Sequence, residues 1–183
     1  MSTANLWVVV MAMMSFMTIT HWSMAESWGK TVESGHQKTT TLRFYFHDII
    51  SGKNPTAIML DKPQGSSKYQ AFGALFMADD LLTIGPDPAS KLVGHAQGLY
   101  GPSSRSDLSL MVAMTYGFID GIYNGSSISI LGQNPVTHPV REIPVVGGTG
   151  LFRIARGYAL AHTYWFNVTT GDAIVGYNVT IVH

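Results

Sequence analysis

The chain has 183 residues, room for one domain or at most two and for a substantial core. Its 11 basic and 11 acidic residues cancel, charged residues make up only 12%, and there is no cysteine. The even charge excludes the basic stripe that nucleic-acid phosphates require. The missing cysteine excludes disulfides, thiolate-held zinc, iron–sulfur clusters and a cysteine nucleophile.

Residues 1–25 contain no Asp, Glu, Lys or Arg and hold six of the ten methionines. An apolar run from Leu6 to Met14 continues weakly to Ile19 and ends in Ser23-Met24-Ala25, which offers small residues for a signal-peptidase cut. This pattern predicts a cleaved secretory signal over residues 1–25. The alternative is an N-terminal membrane anchor. Against it, Ser15, Thr18, Thr20 and His21 interrupt a run that would need about 20 apolar residues to span a bilayer. No later segment is long and apolar enough to span, so no membrane contact is expected after cleavage. Secretion also suits the sequons at Asn124, Asn167 and Asn178, predicted N-glycosylation sites.

Residues 26–38 are polar and aperiodic and are read as a flexible segment before a domain spanning 39–183. From Thr40 the pattern is β. Leu42, Phe44 and Phe46 alternate with Thr41, Arg43 and Tyr45. A short strand is expected over 56–60 and another over 71–78, continued at 81–84, with Asp79-Asp80 read as a strand end or turn. Residues 92–100 form the next strand, and Leu108, Leu110, Val112, Met114, Tyr116 and Phe118 mark one by strict period two. Asn124-Gly125 is a hairpin dipeptide before a strand at 127–131. Residues 140–146 read as a strand whose Pro144 requires an edge or a bulge. The Gly147–Gly150 run is a turn between strands. Residues 151–166 read as one long strand with a kink or bulge at Gly157, and 173–182 closes the series. No segment carries a helical stripe. The strand number and turn spacing give an all-β fold, sandwich or barrel, with no internal repeat.

Motifs for a phosphate loop and for a serine-hydrolase elbow are absent. The histidines are scattered without metal-ligand spacing, so neither a metal nor a cofactor is predicted. Two positions stand out by parity. If the first strand runs through Asp48, its carboxyl joins Leu42, Phe44 and Phe46 on the apolar face, where burial would raise its pKa and suit it to acid catalysis. If the strand stops at His47, Asp48 merely opens a turn. Arg141 shares parity with Ile143 and Val145, which makes it either an inward guanidinium or half of a surface pair with Glu142. Tyr100 and Tyr116 are either pocket phenols or core aromatics. Trp28 and Trp165, the only tryptophans after the signal, form no aromatic platform with flanking acids of the kind a lectin would use.

Three separated stretches resemble the plant dirigent proteins: Phe44-Tyr45-Phe46-His47-Asp48-Ile49, residues 92–100 ending in Ala96-Gln97-Gly98-Leu99-Tyr100, and residues 141–157 beginning Arg141-Glu142-Ile143-Pro144. The resemblance covers about residues 40–183. It implies an eight-stranded antiparallel β-barrel of the dirigent and allene-oxide-cyclase type, a homotrimer, secreted to the plant apoplast. It implies a small phenolic ligand, held as a phenoxy radical or quinone methide, with an external laccase or peroxidase as the radical source and the barrel directing stereochemistry. A legume branch instead dehydrates isoflavanols to pterocarpans through a quinone methide, and Asp48 would be its acid. By the resemblance Asp48, Tyr100, Arg141 and Asn134 stand at pocket positions; Asp48, Tyr100 and Arg141 are the catalytic candidates, and Phe46, Asn134 and Tyr116 the candidate ligand contacts. Lignan-forming members carry an Asp where this chain has Asn134, and they commonly carry a disulfide. Both departures point away from that branch.

Overall fold

The structure is a computed structural model that describes residues 28–34, 37–61 and 71–183. The signal-peptide reading of residues 1–25 falls outside them. Ten strands account for most of the described chain: β1 (Gly29–Ser34), β2 (Gln37–Asp48), β3 (Ala57–Asp61), β4 (Leu75–Thr83), β5 (Leu92–Pro102), β6 (Ser109–Phe118), β7 (Ser127–Pro135), β8 (Arg141–Thr149), β9 (Arg156–Phe166) and β10 (Ala173–Val182). All pair antiparallel. Neighbours run β1-β2-β10-β9-β8-β7-β6-β5-β4-β3, and β2 also pairs with β4. That last pairing closes eight strands, β2 and β4 to β10, into a barrel and disposes of the sandwich alternative. Closure is narrow: the seam is Tyr45↔Thr83, Phe46↔Leu82 and His47↔Leu81. The extra strands β1 and β3 extend the sheet on either side of that seam.

Alternation decides what faces inward. Leu42, Phe44 and Phe46 on β2, Val112, Met114, Tyr116 and Phe118 on β6, and Val175, Tyr177, Val179 and Ile181 on β10 are all buried. At one end the aromatics fill the barrel. Trp28 packs on Tyr123 at 4.9 Å, Tyr123 stacks on Phe152 at 5.7 Å, and Phe44 meets Tyr116 edge-on at 5.6 Å. At the other end, where β2, β5 and β7 finish and β6, β8 and β10 begin, the interior is open.

Several expectations need correction. The polar stretch over 26–38 was expected to lack structure, yet β1 lies within it. Strand pairing satisfies its backbone without any apolar periodicity, and Trp28 anchors it, 3% exposed with its indole N–H donating to Asp120 Oδ2 at 3.0 Å. Asp79 and Asp80 are mid-strand in β4 and end nothing. That strand starts only at Leu75, after a turn. The stretch over 151–166 is not one strand: a 3-10 turn at Gly150–Phe152 and Ile154 at φ 63° precede β9. Nor is Gly157 a bulge. It is a close approach, where a Cβ would collide with the Thr180 carbonyl, and the β9–β10 irregularity lies at Ile174/Val175 instead. The β7–β8 register shift skips Val146, as expected for a bulge near Pro144; Pro144 itself lies past the last β7–β8 pair, Ile130↔Val145, and pairs with Tyr158 of β9 on its other side.

Candidate active site

β2 continues through Asp48, which pairs with Ala173 of β10, so the period of two carries the carboxyl to the inner face. The turn reading of Asp48 is thereby set aside. From β5, the Tyr100 hydroxyl donates to Asp48 Oδ1 at 2.9 Å. Tyr100 is fixed in turn by Phe76, whose ring stacks on it at 5.1 Å and 2°. Burial pushes the Asp48 carboxyl up to about 7; the Tyr100 hydrogen bond opposes the shift and the negative charge of Asp172 adds to it. Below neutral pH the group is therefore a protonated acid with a fixed orientation. Burial, with the neighbouring carboxylates, drives the Tyr100 phenol far above its ordinary value, so it stays a neutral donor.

Arg141 also takes its inward reading. It is 3% exposed at the start of β8, its Nε donates to Asn134 Oδ1 at 3.1 Å, and its Nη1 donates to Thr163 Oγ1 at 3.0 Å. Among the described residues it makes no ion pair, so its charge is balanced only by neutral oxygens. Desolvation pulls its pKa down, opposed by Tyr177.

These groups border one cavity of about 370 Å³, within the roughly 300–1,000 Å³ usual for small-molecule sites. Phe46, Val112, Met114, Val175 and Tyr177 give it apolar walls, and Leu108, Val136 and Phe166 also border it. Asp48 and Tyr100 stand on the β2/β5 side, and Asn134, Arg141 and Thr163 stand across the ring on β7, β8 and β9. A ligand is thus offered an acid on one wall, a cation on the other and hydrocarbon between.

Of the six predicted catalytic and ligand-contact residues, five line this cavity: Asp48, Tyr100, Arg141, Phe46 and Asn134. Tyr116 does not. It is fully buried behind the wall, edge-on to Tyr177 at 5.5 Å and tilted against Phe46 at 6.4 Å. Two acids escaped the sequence reading. Asp172 follows β9 and is held low: hydroxyls of Ser51 and Thr170 and the N–H groups of Ile50 and Ser51 outweigh its desolvation. Asp80 is inward on β4 and fully buried, and burial pushes it up to about 8. Period two would have found it, since Phe76, Ala78, Asp80 and Leu82 share one parity. Asn124 and Asn178 are exposed, while Asn167 is half-buried with its Oδ1 accepting from the Thr169 N–H at 2.9 Å. Among the described residues no three His, Asp or Glu side chains are placed to share a metal ion.

The comparisons with known proteins agree with this geometry. A family model described as Dirigent-like protein matches residues 39–182. Dirigent protein 23 of Arabidopsis thaliana is 52% identical over 178 residues, covering 96% of this chain and 95% of its own. Pterocarpan synthase 1 of Glycyrrhiza echinata is 48% identical over 149 residues, 80% of this chain and 79% of its own. A solved structure of a pterocarpan synthase dirigent protein superposes with a TM-score of 0.78 at 47% identity, covering 83% of this chain and 88% of that one. The closed eight-stranded barrel, a family match over nearly all of it and relatives at about half identity along its length establish that this chain belongs to the dirigent family.

Proposed function

We propose that the cavity binds a phenolic alcohol and eliminates water from it through a quinone methide, with Asp48 as the acid. The observation that carries this reading is the Asp48–Tyr100 pair: a carboxyl kept protonated below about pH 7 and aimed by a neutral phenol into an apolar cavity. A hydroxide is a poor leaving group, and proton transfer from a positioned acid is what the step needs. In the proposed sequence the phenol gives its proton to solvent, and Arg141 steadies the negative charge that gathers on the phenol oxygen. The benzylic C–O bond breaks, the departing hydroxyl takes the Asp48 proton, and water leaves. A second hydroxyl then attacks the methide carbon and returns its proton to the Asp48 carboxylate, while the phenol oxygen is reprotonated from solvent. The cavity walls select the face of attack. The relatives named pterocarpan synthase support an isoflavanol as the first compound to test.

A second reading uses the same cavity without the elimination. The relative matching over 96% of this chain is named a dirigent protein and not a synthase. On that reading the barrel binds phenoxy radicals made by an external laccase or peroxidase and directs their coupling. Incubation of purified protein with an isoflavanol, without oxidant, followed by chiral chromatography separates the two. Turnover without oxidant supports the elimination. Stereoselective product that appears only when an oxidase and a monolignol are supplied supports the coupling role.

We also propose secretion to the apoplast, glycosylation at the sequons and assembly as a homotrimer. The sequence pattern of residues 1–25 supports the first, and the exposure of Asn124 and Asn178 supports the second. Outward Met77, Leu99, Ala113 and Leu131 lie in register as an apolar row across β4 to β7, which supports a covered outer face. Light scattering on the mature protein tests the trimer; a monomer at micromolar concentration would exclude it.

A further inference from the structure

We propose that Asp80 is the proton-sharing partner of Asp48: the two carboxyls form a pair across the barrel seam, and Asp80 acts as a positioning residue that keeps Asp48 in its acid form. The inference rests on the elimination reading above.

The register supplies the geometry. The seam steps down from Tyr45↔Thr83 through Phe46↔Leu82 to His47↔Leu81, and the next residues on the two strands are Asp48 and Asp80. Both have the parity of the inner face, since Phe46 precedes one by two residues and Leu82 follows the other by two. Directly opposed inward positions on antiparallel strands bring Cβ atoms to about 5 Å, and like charges there repel. Here the seam begins to open. Thr56, just ahead of β3, enters between the strands, accepting the Ile49 N–H at 3.0 Å through its hydroxyl and the Asp79 N–H at 2.8 Å through its carbonyl. Its hydroxyl donates to Asp80 Oδ1.

That leaves Asp80 Oδ2 sealed from solvent with no hydrogen-bond partner. A carboxylate oxygen in that position would be costly, whereas a carboxyl that holds a proton is tolerated. Among the described residues no cation is placed to relieve it. Facing the pair are Tyr100 on β5, Tyr116 on β6 and Tyr177 on β10, all kept neutral by burial, and the ionised Asp172 before β10. Arg141 on β8 stands across the cavity, donating to Asn134 and Thr163. His47 and Asp79 are on the opposite parity of the same strands, with His47 turned to the Thr83 hydroxyl and Asp79 to His95.

Two carboxyls in one apolar setting cannot both ionise readily, so the second proton of the pair is retained to higher pH than either group alone would allow. Burial and the Asp48 charge together raise Asp80, in keeping with such a pair. In the catalytic cycle the consequence is specific. Once Asp48 has given up its proton, a neutral Asp80 lets the carboxylate persist; at higher pH the remaining proton, shared across the seam, still occupies Asp48 for part of the time.

The test is Asp80→Asn, which keeps the shape and the acceptor for Thr56 but cannot carry charge. Folding is checked by far-UV circular dichroism, and turnover of the isoflavanol is followed from pH 5 to 9 without oxidant. The expected result is little change in kcat at pH 5.5 and an alkaline limb displaced downward by about one pH unit, with KM nearly constant. The titration of Asp48, followed by carboxyl carbon NMR, should likewise shift from a two-step to a one-step curve. The NMR readout does not depend on turnover, so it stands even if the elimination reading fails and no isoflavanol reacts. An unchanged Asp48 titration in folded Asp80→Asn overturns the proposal. If the variant does not fold, Asp80→Ser is titrated instead and the same two outcomes apply.

Discussion

Raising the pH should destabilise this protein, because two inward carboxyls hold their protons in the folded barrel and lose them on unfolding. Asp80 has no solvent exposure, and its pKa moves from 3.8 to about 8 on folding. The folded-state value is raised, so the contribution is fully present below about pH 4 and is lost as pH climbs through about 8. A rise of roughly four units at about 1.4 kcal/mol each puts the loss on the order of 5 kcal/mol for this one group. Asp48 moves the same way, to about 7, and adds to the decline. Domains of this kind have roughly 5–15 kcal/mol in total, so the effect is large. Urea melts at pH 4.5, 6, 7.5 and 9 measure it. The midpoint should fall steadily across that range, and Asp80→Asn should flatten much of the fall while matching wild type near pH 4.5. A midpoint that is level or rising between pH 5 and 8 would mean that these carboxyls do not carry raised pKa values in the folded barrel. An Asp80→Asn variant whose decline parallels wild type would mean the same of Asp80.

Two further perturbations test the frame. Gly157→Ala places a methyl against the Thr180 carbonyl of the adjoining strand, so the β9–β10 ladder must part; a loss of about 3 kcal/mol or more, or no soluble protein, is expected by thermal melting. Trp28→Ala removes a 3%-exposed indole and its hydrogen bond to Asp120, and should cost about 3–5 kcal/mol and speed amide exchange in β1.

Much of this architecture was readable because strands bury one face. The period of two across Leu42, Phe44 and Phe46 extends to Asp48, and the same rule turns Arg141 inward beside Ile143 and Val145. What alternation does not carry is which inward residue meets the cavity and which lies behind its wall. Tyr116 and Tyr100 have the same parity and chemistry, yet only Tyr100 borders open space, because aromatic packing fills the other end of the barrel. Asp80 was lost for a different reason. Two adjacent acids normally signal solvent, and only closure of β2 on β4, a contact between distant parts of the chain, seals one of them inside the barrel. β1 escaped because its sequence has no apolar alternation, its one large apolar residue, Val32, being exposed, and it is held by backbone pairing to β2 beside the buried Trp28.

On the proposed function, Asp48 is the proton donor in an oxidant-free elimination. The measurement that tests it most directly is the rate–pH profile of isoflavanol turnover for wild type and Asp48→Asn, with no oxidase present. Wild-type turnover should be level at acid pH and decline above about pH 7, as the carboxyl loses its proton, and Asp48→Asn should lose turnover by about a hundredfold or more. An Asp48→Asn protein that folds and retains full turnover would contradict it.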